Sequence, residues 1–243
     1  NYLIRLGLAR ENPALRIAYL SKPAYKPYIY ALKEIHDILE ETGRFKRLYP
    51  KRLLGWTLET MIFLIYACGL RISEAINLRI VDVNFEENTL SLWRTKFHKE
   101  RLIPFSSAVG RKLETYLVRR RQLHPTTDAE APFFCRYAGR KYTGKTIDEH
   151  FRTLRDPRGQ KGPRIHDLRH TFAVHRLYKW YQDGHDPLNK LPLLSTYMGH
   201  VGIESTQVYL HITQTLLREG DRRFDAAFGD VVEQSLKHAL KKP

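Results

Sequence analysis

The sequence predicts a mainly α-helical domain carrying one small antiparallel β-sheet. Three observations lead there. Apolar residues recur at helical spacing on both sides of the chain's middle. Two short β-type runs, 89–94 and 101–105, are joined by the polar stretch 95–100, as in a hairpin with a basic tip. No internal repeat or low-complexity tract suggests another architecture.

Residues 1–25 are mixed, with Pro13 and Pro23 breaking any long helix. They read as a linker, or as the tail of a domain lying upstream. From Pro27 the pattern becomes periodic: Ile29, Leu32, Ile35, Ile38 and Leu39 predict a helix with Pro27 in its first turn and Gly43 as its stop. Residues 57–68 predict a second helix, apolar nearly all round and therefore buried. Gly69-Leu70 interrupts it, and 72–78 reads as a short helix with Arg71 at the junction. The hairpin follows, then a helix over 107–122 and a loop over 124–131. Residues 136–169 hold ten lysines or arginines against four acids, with a basic loop at 156–163. Helices are predicted over about 166–182, 188–198 and 203–213, and 231–242 reads as a short amphipathic tail helix.

The chain has 243 residues, 42% hydrophobic and 28% charged, which is enough apolar material for a substantial core. Its formal net charge is +15 and its pI about 9.8. A globular chain this basic is suited to a polyanion, nucleic acid first. Cys68 and Cys135 are far apart, so a disulfide framework is not expected and a reducing setting fits. The longest apolar run, 61–70, falls well short of the roughly 20 residues that span a bilayer. We therefore expect no membrane partner and a cytoplasmic, nucleoid-associated protein.

Residues 165–176 read IHDLRHTFAVHR. His166 and His170 are four apart, on one helical face, a spacing that can hold zinc. Arg169 between them disfavours a dication, so no metal and no cofactor are expected. Phosphate fits better. Arginine presents a planar fork to two phosphate oxygens, and histidine exchanges protons near neutrality. His166 and Arg169 are three apart and share a face. Elsewhere, ACGLRISEAINL (67–78) sets Arg71 at the edge of a buried helix, with Glu74 placed to hold its guanidinium. TKFHKERLIP (95–104) puts Lys96 and Lys99 on the hairpin tip. YMGHVGIESTQVYL (197–210) places Tyr209 nine residues after His200. Each motif alone has a bland reading: an ion pair, a solvated turn, a core tyrosine.

Taken in order, the set resembles the tyrosine recombinases, or phage integrase family, over roughly residues 25–215. The Arg-after-Gly-Leu motif matches CGLRISEA at Arg71, and the hairpin lysine matches TKFHKERLIP at Lys96. The H-x-x-R helix matches HDLRH at His166 and Arg169. The L-G-H box matches MGH at His200, and the nucleophile matches TQVYLHI at Tyr209. Met198 replaces the usual leucine, and Phe97-His98 stand where the family often has small residues. The resemblance implies a catalytic-domain fold over 26–230 and a 3′-phosphotyrosyl intermediate on Tyr209. It implies clamping of the phosphate by Arg71, Arg169 and His200, help from His166 in proton transfer at Tyr209, and Lys96 as general acid, without metal or ATP. His170 is given only a supporting role, and Tyr178 and Tyr197 are set aside as rivals to Tyr209.

The resemblance further implies a double-stranded DNA partner and a homo-oligomer, a tetramer on DNA. An N-terminal core-binding domain would precede the chain, and the tail 231–243 would dock in trans. Lys99, Arg101, Arg136, Arg140, Lys141, Lys145, Arg158, Lys161 and Arg164 are the candidates for DNA contacts. Site-specific recombination, integration or transposition for a mobile element is the expected role. A type IB topoisomerase or a non-catalytic DNA-binding protein are the alternatives.

Overall fold

The computed structural model describes residues 2–8, 10, 27–93, 100–155, 162–200, 202 and 205–213. In chain order these form α1 (Tyr2–Arg5), α2 (Leu32–Leu48), α3 (Leu54–Cys68), α4 (Ile72–Asn77), β1 (Val83–Asn84), β2 (Thr89–Leu92), β3 (Arg101–Pro104), α5 (Ser107–Leu123), α6 (Gly144–Arg155), α7 (Asp167–Gln182), α8 (Pro187–Met198) and α9 (205–213). The fold is mainly helical with one three-stranded antiparallel sheet, ordered β1-β2-β3. Leu90 pairs with Val83 on one side and Ile103 on the other. Strand β1 was not predicted, because two residues carry no readable alternation.

Helix α3 is the axis of the domain. It packs against α2, α4, α5, α6 and α7. Its residues Leu58, Met61, Ile62 and Leu64 are fully buried, as its all-round apolar pattern requires. A second, smaller core joins α7, α8 and α9 through Val174, Leu177, Leu194, Met198 and Tyr209.

Helix α2 corrects two expectations. It starts at Leu32, not in the first turn after Pro27, because Glu34 accepts the Ala31 N–H at 2.7 Å and caps it there. Residues 27–31 lie outside the helix instead. Tyr30 is buried, and its N–H donates to Thr171 Oγ1 on α7 at 3.1 Å. Gly43 does not stop the helix either: beyond it Phe45 packs against the core and Lys46 pairs with Glu59 of α3 at 2.6 Å, and the helix runs on to Leu48. A glycine inside a helix costs about 1 kcal/mol, less than this burial contributes. Helix α6 was missed within the basic stretch, although Ile147, Phe151 and Leu154 lie at helical spacing and are all buried. The loop predicted at 156–163 is described only from 162, and the tail helix at 231–242 lies outside the described residues.

Candidate active site

Two helix C-termini and one buried carboxylate build the site. Helix α3 ends at Gly69 in the left-handed region (φ 61°), and α8 ends likewise at Gly199 (φ 65°). Both glycines cap their helices and free carbonyls to point outward. Arg169, 2% exposed, donates to Gly69 O at 2.5 Å and to Met198 O at 2.6 Å. Arg71 donates to Gly199 O at 2.9 Å. Cations at helix C-termini meet the negative end of the macrodipole, so each guanidinium is oriented before any ligand arrives.

Glu74, in the first turn of α4, joins three arginines. It accepts from Arg71 Nη1 at 2.7 Å and Arg71 N at 2.8 Å. Arg101 pairs with it through both nitrogens, at 3.0 and 2.9 Å, and Arg169 lies 3.9 Å away. Burial alone would raise the Glu74 pKa. The hydrogen bond and charge of Arg101, with the Arg71 N–H and the Arg169 charge, overcome that and hold it below the ordinary value. Burial, with Arg71 beside it, lowers Arg169 to about 10, so it keeps its charge at neutral pH.

Gly69 is constrained twice. Its φ is positive, and a Cβ there would sit 2.4 Å from Phe172 Cδ1. Gly69→Ala is expected to cost about 2–4 kcal/mol, from left-handed strain plus overpacking. A chemical-denaturation midpoint equal to wild type would refute this reading of the turn.

Tyr209 on α9 is 2% exposed, and its hydroxyl lies 2.8 Å from His170 Nδ1. Its ring stacks on His200, with centroids 6.2 Å apart at 28°. Burial raises the phenol to about 12, against the pull of Arg169 and Arg71. His200 Nδ1 lies 2.8 Å from Thr206 Oγ1. Burial first, then the arginine charges, takes His200 to about 4; burial, then His166, takes His170 to about 4. His166 is lowered too, chiefly by burial, and meets His170 edge-on at 4.8 Å. His170 and His200 are thus held neutral beside a protonated phenol.

Five of the six predicted catalytic residues, Arg71, His166, Arg169, His200 and Tyr209, are therefore brought together. Lys96 and Lys99 lie in 94–99, outside the described residues, as do Arg158 and Lys161. The expected supporting role of His170 understates its place: it, and not His166, stands at the Tyr209 hydroxyl. The signal was present in the shared face of residues 166 and 170. Arg101, expected as a DNA contact, is placed instead as an interior strut: its side chain is only 11% exposed, pairs with Glu74 through both terminal nitrogens and donates from Nε to Tyr197 O at 3.1 Å. Arg136, Arg140, Lys141 and Lys145 are exposed. Arg164 is also exposed, 3.8 Å from Asp167. Among the described residues no group of three His, Cys, Asp or Glu could hold a metal. No described helix is long and apolar enough to cross a membrane.

Fold and site together define a class: a mainly helical domain gathering arginines and histidines around one buried tyrosine hydroxyl, a layout suited to phosphoryl transfer onto tyrosine. The model of the phage integrase family matches residues 32–215, and the chain belongs to that family, the tyrosine recombinases, enzymes that cleave and rejoin DNA. A Sinorhizobium fredii protein, y4rB, provisionally named an integrase/recombinase, is 36% identical over 213 residues, covering 84% of this chain and 68% of y4rB. The tyrosine recombinase XerC of Oceanobacillus iheyensis is 31% identical over 231 residues, covering 90% and 68%. The crystal structure of XerH site-specific recombinase bound to its palindromic difH substrate, a post-cleavage complex, shares the fold. Its TM-score is 0.60 at 22% identity, over 80% of this chain. The chain spans 52% of the XerH chain.

Proposed function

We propose that this chain is the catalytic domain of a site-specific DNA recombinase or integrase, cutting and rejoining strands through a 3′-phosphotyrosyl intermediate on Tyr209 and serving a mobile genetic element. The observation that carries it is the Tyr209 hydroxyl, 2.8 Å from His170 and within the field of Arg71 and Arg169. Double-stranded DNA as partner is supported by the net charge of +15 and by the difH-bound XerH neighbour. An integrase role draws on the likeness to y4rB, an integrase/recombinase by name, at 36% identity. In the same reading residues 26–230 form the catalytic domain, 1–25 lead from a core-binding domain, 231–243 dock on a neighbouring protomer, and four protomers assemble on DNA near the nucleoid.

In the proposed reaction the Tyr209 oxygen attacks phosphorus as its proton passes to the His170 imidazole. The Oη–P bond forms and the bond from phosphorus to the 5′-oxygen breaks. That oxygen takes a proton from Lys96. The added negative charge of the pentacoordinate phosphorus falls between Arg71, Arg169 and His200, whose donors are already oriented; such charge stabilisation is usually the largest catalytic term. The phosphotyrosyl bond conserves the energy of the broken diester, so a 5′-hydroxyl from another strand can reverse the step.

His170 at about 4 is neutral and able to accept a proton throughout pH 5.5–8. Single-turnover kcat/KM for cleavage should therefore hold nearly level from pH 8 down to 5.5. Protonation with an ordinary histidine pKa, near 6.5, would instead halve it at that pH. His170→Ala is expected to slow cleavage about 100-fold. An unchanged rate would remove His170 from the chemistry.

The function is tested on a supercoiled plasmid carrying two candidate sites, in EDTA and without ATP. Exchange between the sites is the expected product. Relaxation without exchange would favour the topoisomerase alternative, and binding without any cleavage the non-catalytic one.

A further inference from the structure

Helix α9 buries two threonines, Thr206 and Thr213, and they use their hydroxyls differently. Thr213 donates to the Tyr209 carbonyl one turn earlier, at 2.8 Å. Thr171 on α7 does the same toward Asp167 O, also at 2.8 Å. That is the ordinary use of a threonine inside a helix. Thr206, fully buried, instead places its Oγ1 2.8 Å from His200 Nδ1. Among the described residues this ring nitrogen is the hydroxyl's one partner. His200, taken to about 4 by burial and then by the arginine charges, is neutral at pH 7. A neutral imidazole carries one N–H and one lone pair, so the bond at Nδ1 decides what Nε2 offers. If Nδ1 carried the proton, Thr206 Oγ1 would accept it. The threonine's own O–H would then be a buried donor with no acceptor among the described residues. An unmade bond of that kind disfavours an arrangement by roughly tenfold or more. If Thr206 donates instead, both groups are satisfied and the ring proton sits on Nε2.

We propose that Thr206 is a positioning residue that locks His200 as its Nε2–H tautomer, so that the ring meets a phosphoryl oxygen with a donor and not a lone pair. The catalytic consequence rests on the function proposed above; the lock itself does not. The ring is also held against rotation, which would exchange its two nitrogens. The His200 backbone N–H bonds Ser195 O at 3.0 Å, just after the left-handed turn at Gly199. The imidazole face stacks on Tyr209 with an interplanar angle of 28°. Thr206 and Tyr209 are three residues apart, on one face of α9. The docking of this one helix therefore brings the phenol to His170 and the hydroxyl to His200 together. The donor for the phosphoryl oxygen is set by the same contact that seats the nucleophile.

The lock is read first without DNA. Two-bond ¹H–¹⁵N spectra of the whole chain at pH 7 distinguish the two neutral tautomers, and the His200 signals are identified by their loss in His200→Ala. Wild type should show the Nε2–H form; the Nδ1–H form would overturn the proposal. Thr206→Val keeps the shape and removes the hydroxyl, whereas Thr206→Ser keeps the hydroxyl. The valine variant should give a mixture of tautomers and the serine variant the wild-type form. A pure Nε2–H form in Thr206→Val would also overturn the lock. The second arm measures single-turnover cleavage of a nicked suicide duplex. Thr206→Val should lower the rate constant about tenfold with duplex affinity within about twofold, and Thr206→Ser should restore the rate to within about threefold. In a His200→Ala background Thr206→Val should have no further effect, because it acts through that ring. Equal losses in the valine and serine variants, or a full loss added to that of His200→Ala, would reduce Thr206 to packing and overturn its role. A wild type that cuts no duplex would overturn the recombinase reading, whereas the tautomer, read without DNA, would still decide the lock.

Discussion

Tyr209→Phe is expected to abolish strand cleavage, by at least about 10⁴-fold, while DNA affinity stays within about twofold of wild type. The size follows from the chemistry proposed: phenylalanine has no oxygen to attack phosphorus, so the covalent bond to residue 209 cannot form. The fold should tolerate the change. The ring keeps its burial and its stacking on His200, and only the contact to His170 Nδ1 is lost. A net hydrogen bond contributes about 1 kcal/mol, so the melting temperature should move by a few degrees at most. The rival tyrosines are unsuited to replace it. Tyr197 stacks on Phe172 and its phenol is pushed far up by burial, while Tyr178 is on the exposed face of α7. Gel-based cleavage beside anisotropy binding measures both halves. Residual cleavage within a hundredfold of wild type would contradict the assignment.

Glu74→Ala should be the most destabilising single change at the site, by about 3–5 kcal/mol, the range for removing one partner of a buried ion pair. Its carboxylate is the anion shared by Arg71 and Arg101, with Arg169 3.9 Å away. Without it three guanidiniums face one another in the interior. Chemical denaturation reads the loss directly. Sulfate should restore part of it, and more for the variant than for wild type, because an anion that binds only the folded state stabilises by mass action. The pH dependence has a definite sign. The Glu74 pKa is lowered on folding, so its contribution is present above the unfolded glutamate pKa, near 4.3, and is lost as pH falls through the folded value. The stability gap between wild type and Glu74→Ala should therefore narrow below about pH 4. A gap independent of pH, or a loss under 1 kcal/mol, would mean that the arginines do not need this carboxylate.

The order of chemistry-bearing motifs was legible because each lies beside a structural signal. Arg71 follows a Gly-Leu break, His166 and Arg169 share the start of an amphipathic helix, and Tyr209 follows the Gly-His turn at a fixed interval. What remained hidden is three-dimensional. Nothing in RLIP marks Arg101 as an interior strut, since a strand residue beside lysines reads as surface until Glu74 is placed opposite it. His170 was readable as sharing a face with His166, yet only the docking of α9 on α7 decides which of the two meets the phenol. The start of α2 and the strap before it were misread because periodicity cannot see the hydrogen bond from Tyr30 to Thr171, 141 residues away. Helix α6 was lost because its charges outnumber its three buried apolar anchors.

The central claim is that Tyr209 becomes covalently joined to DNA without a metal. The most direct measurement mixes the protein with a nicked suicide duplex carrying a candidate site, in EDTA, and digests the product for mass spectrometry. The account predicts a 3′-phosphonucleotide attached to the peptide containing Tyr209, formed at full yield in EDTA. A strand cut with no peptide attached, or attachment at Tyr197 or Tyr178 instead, would contradict it.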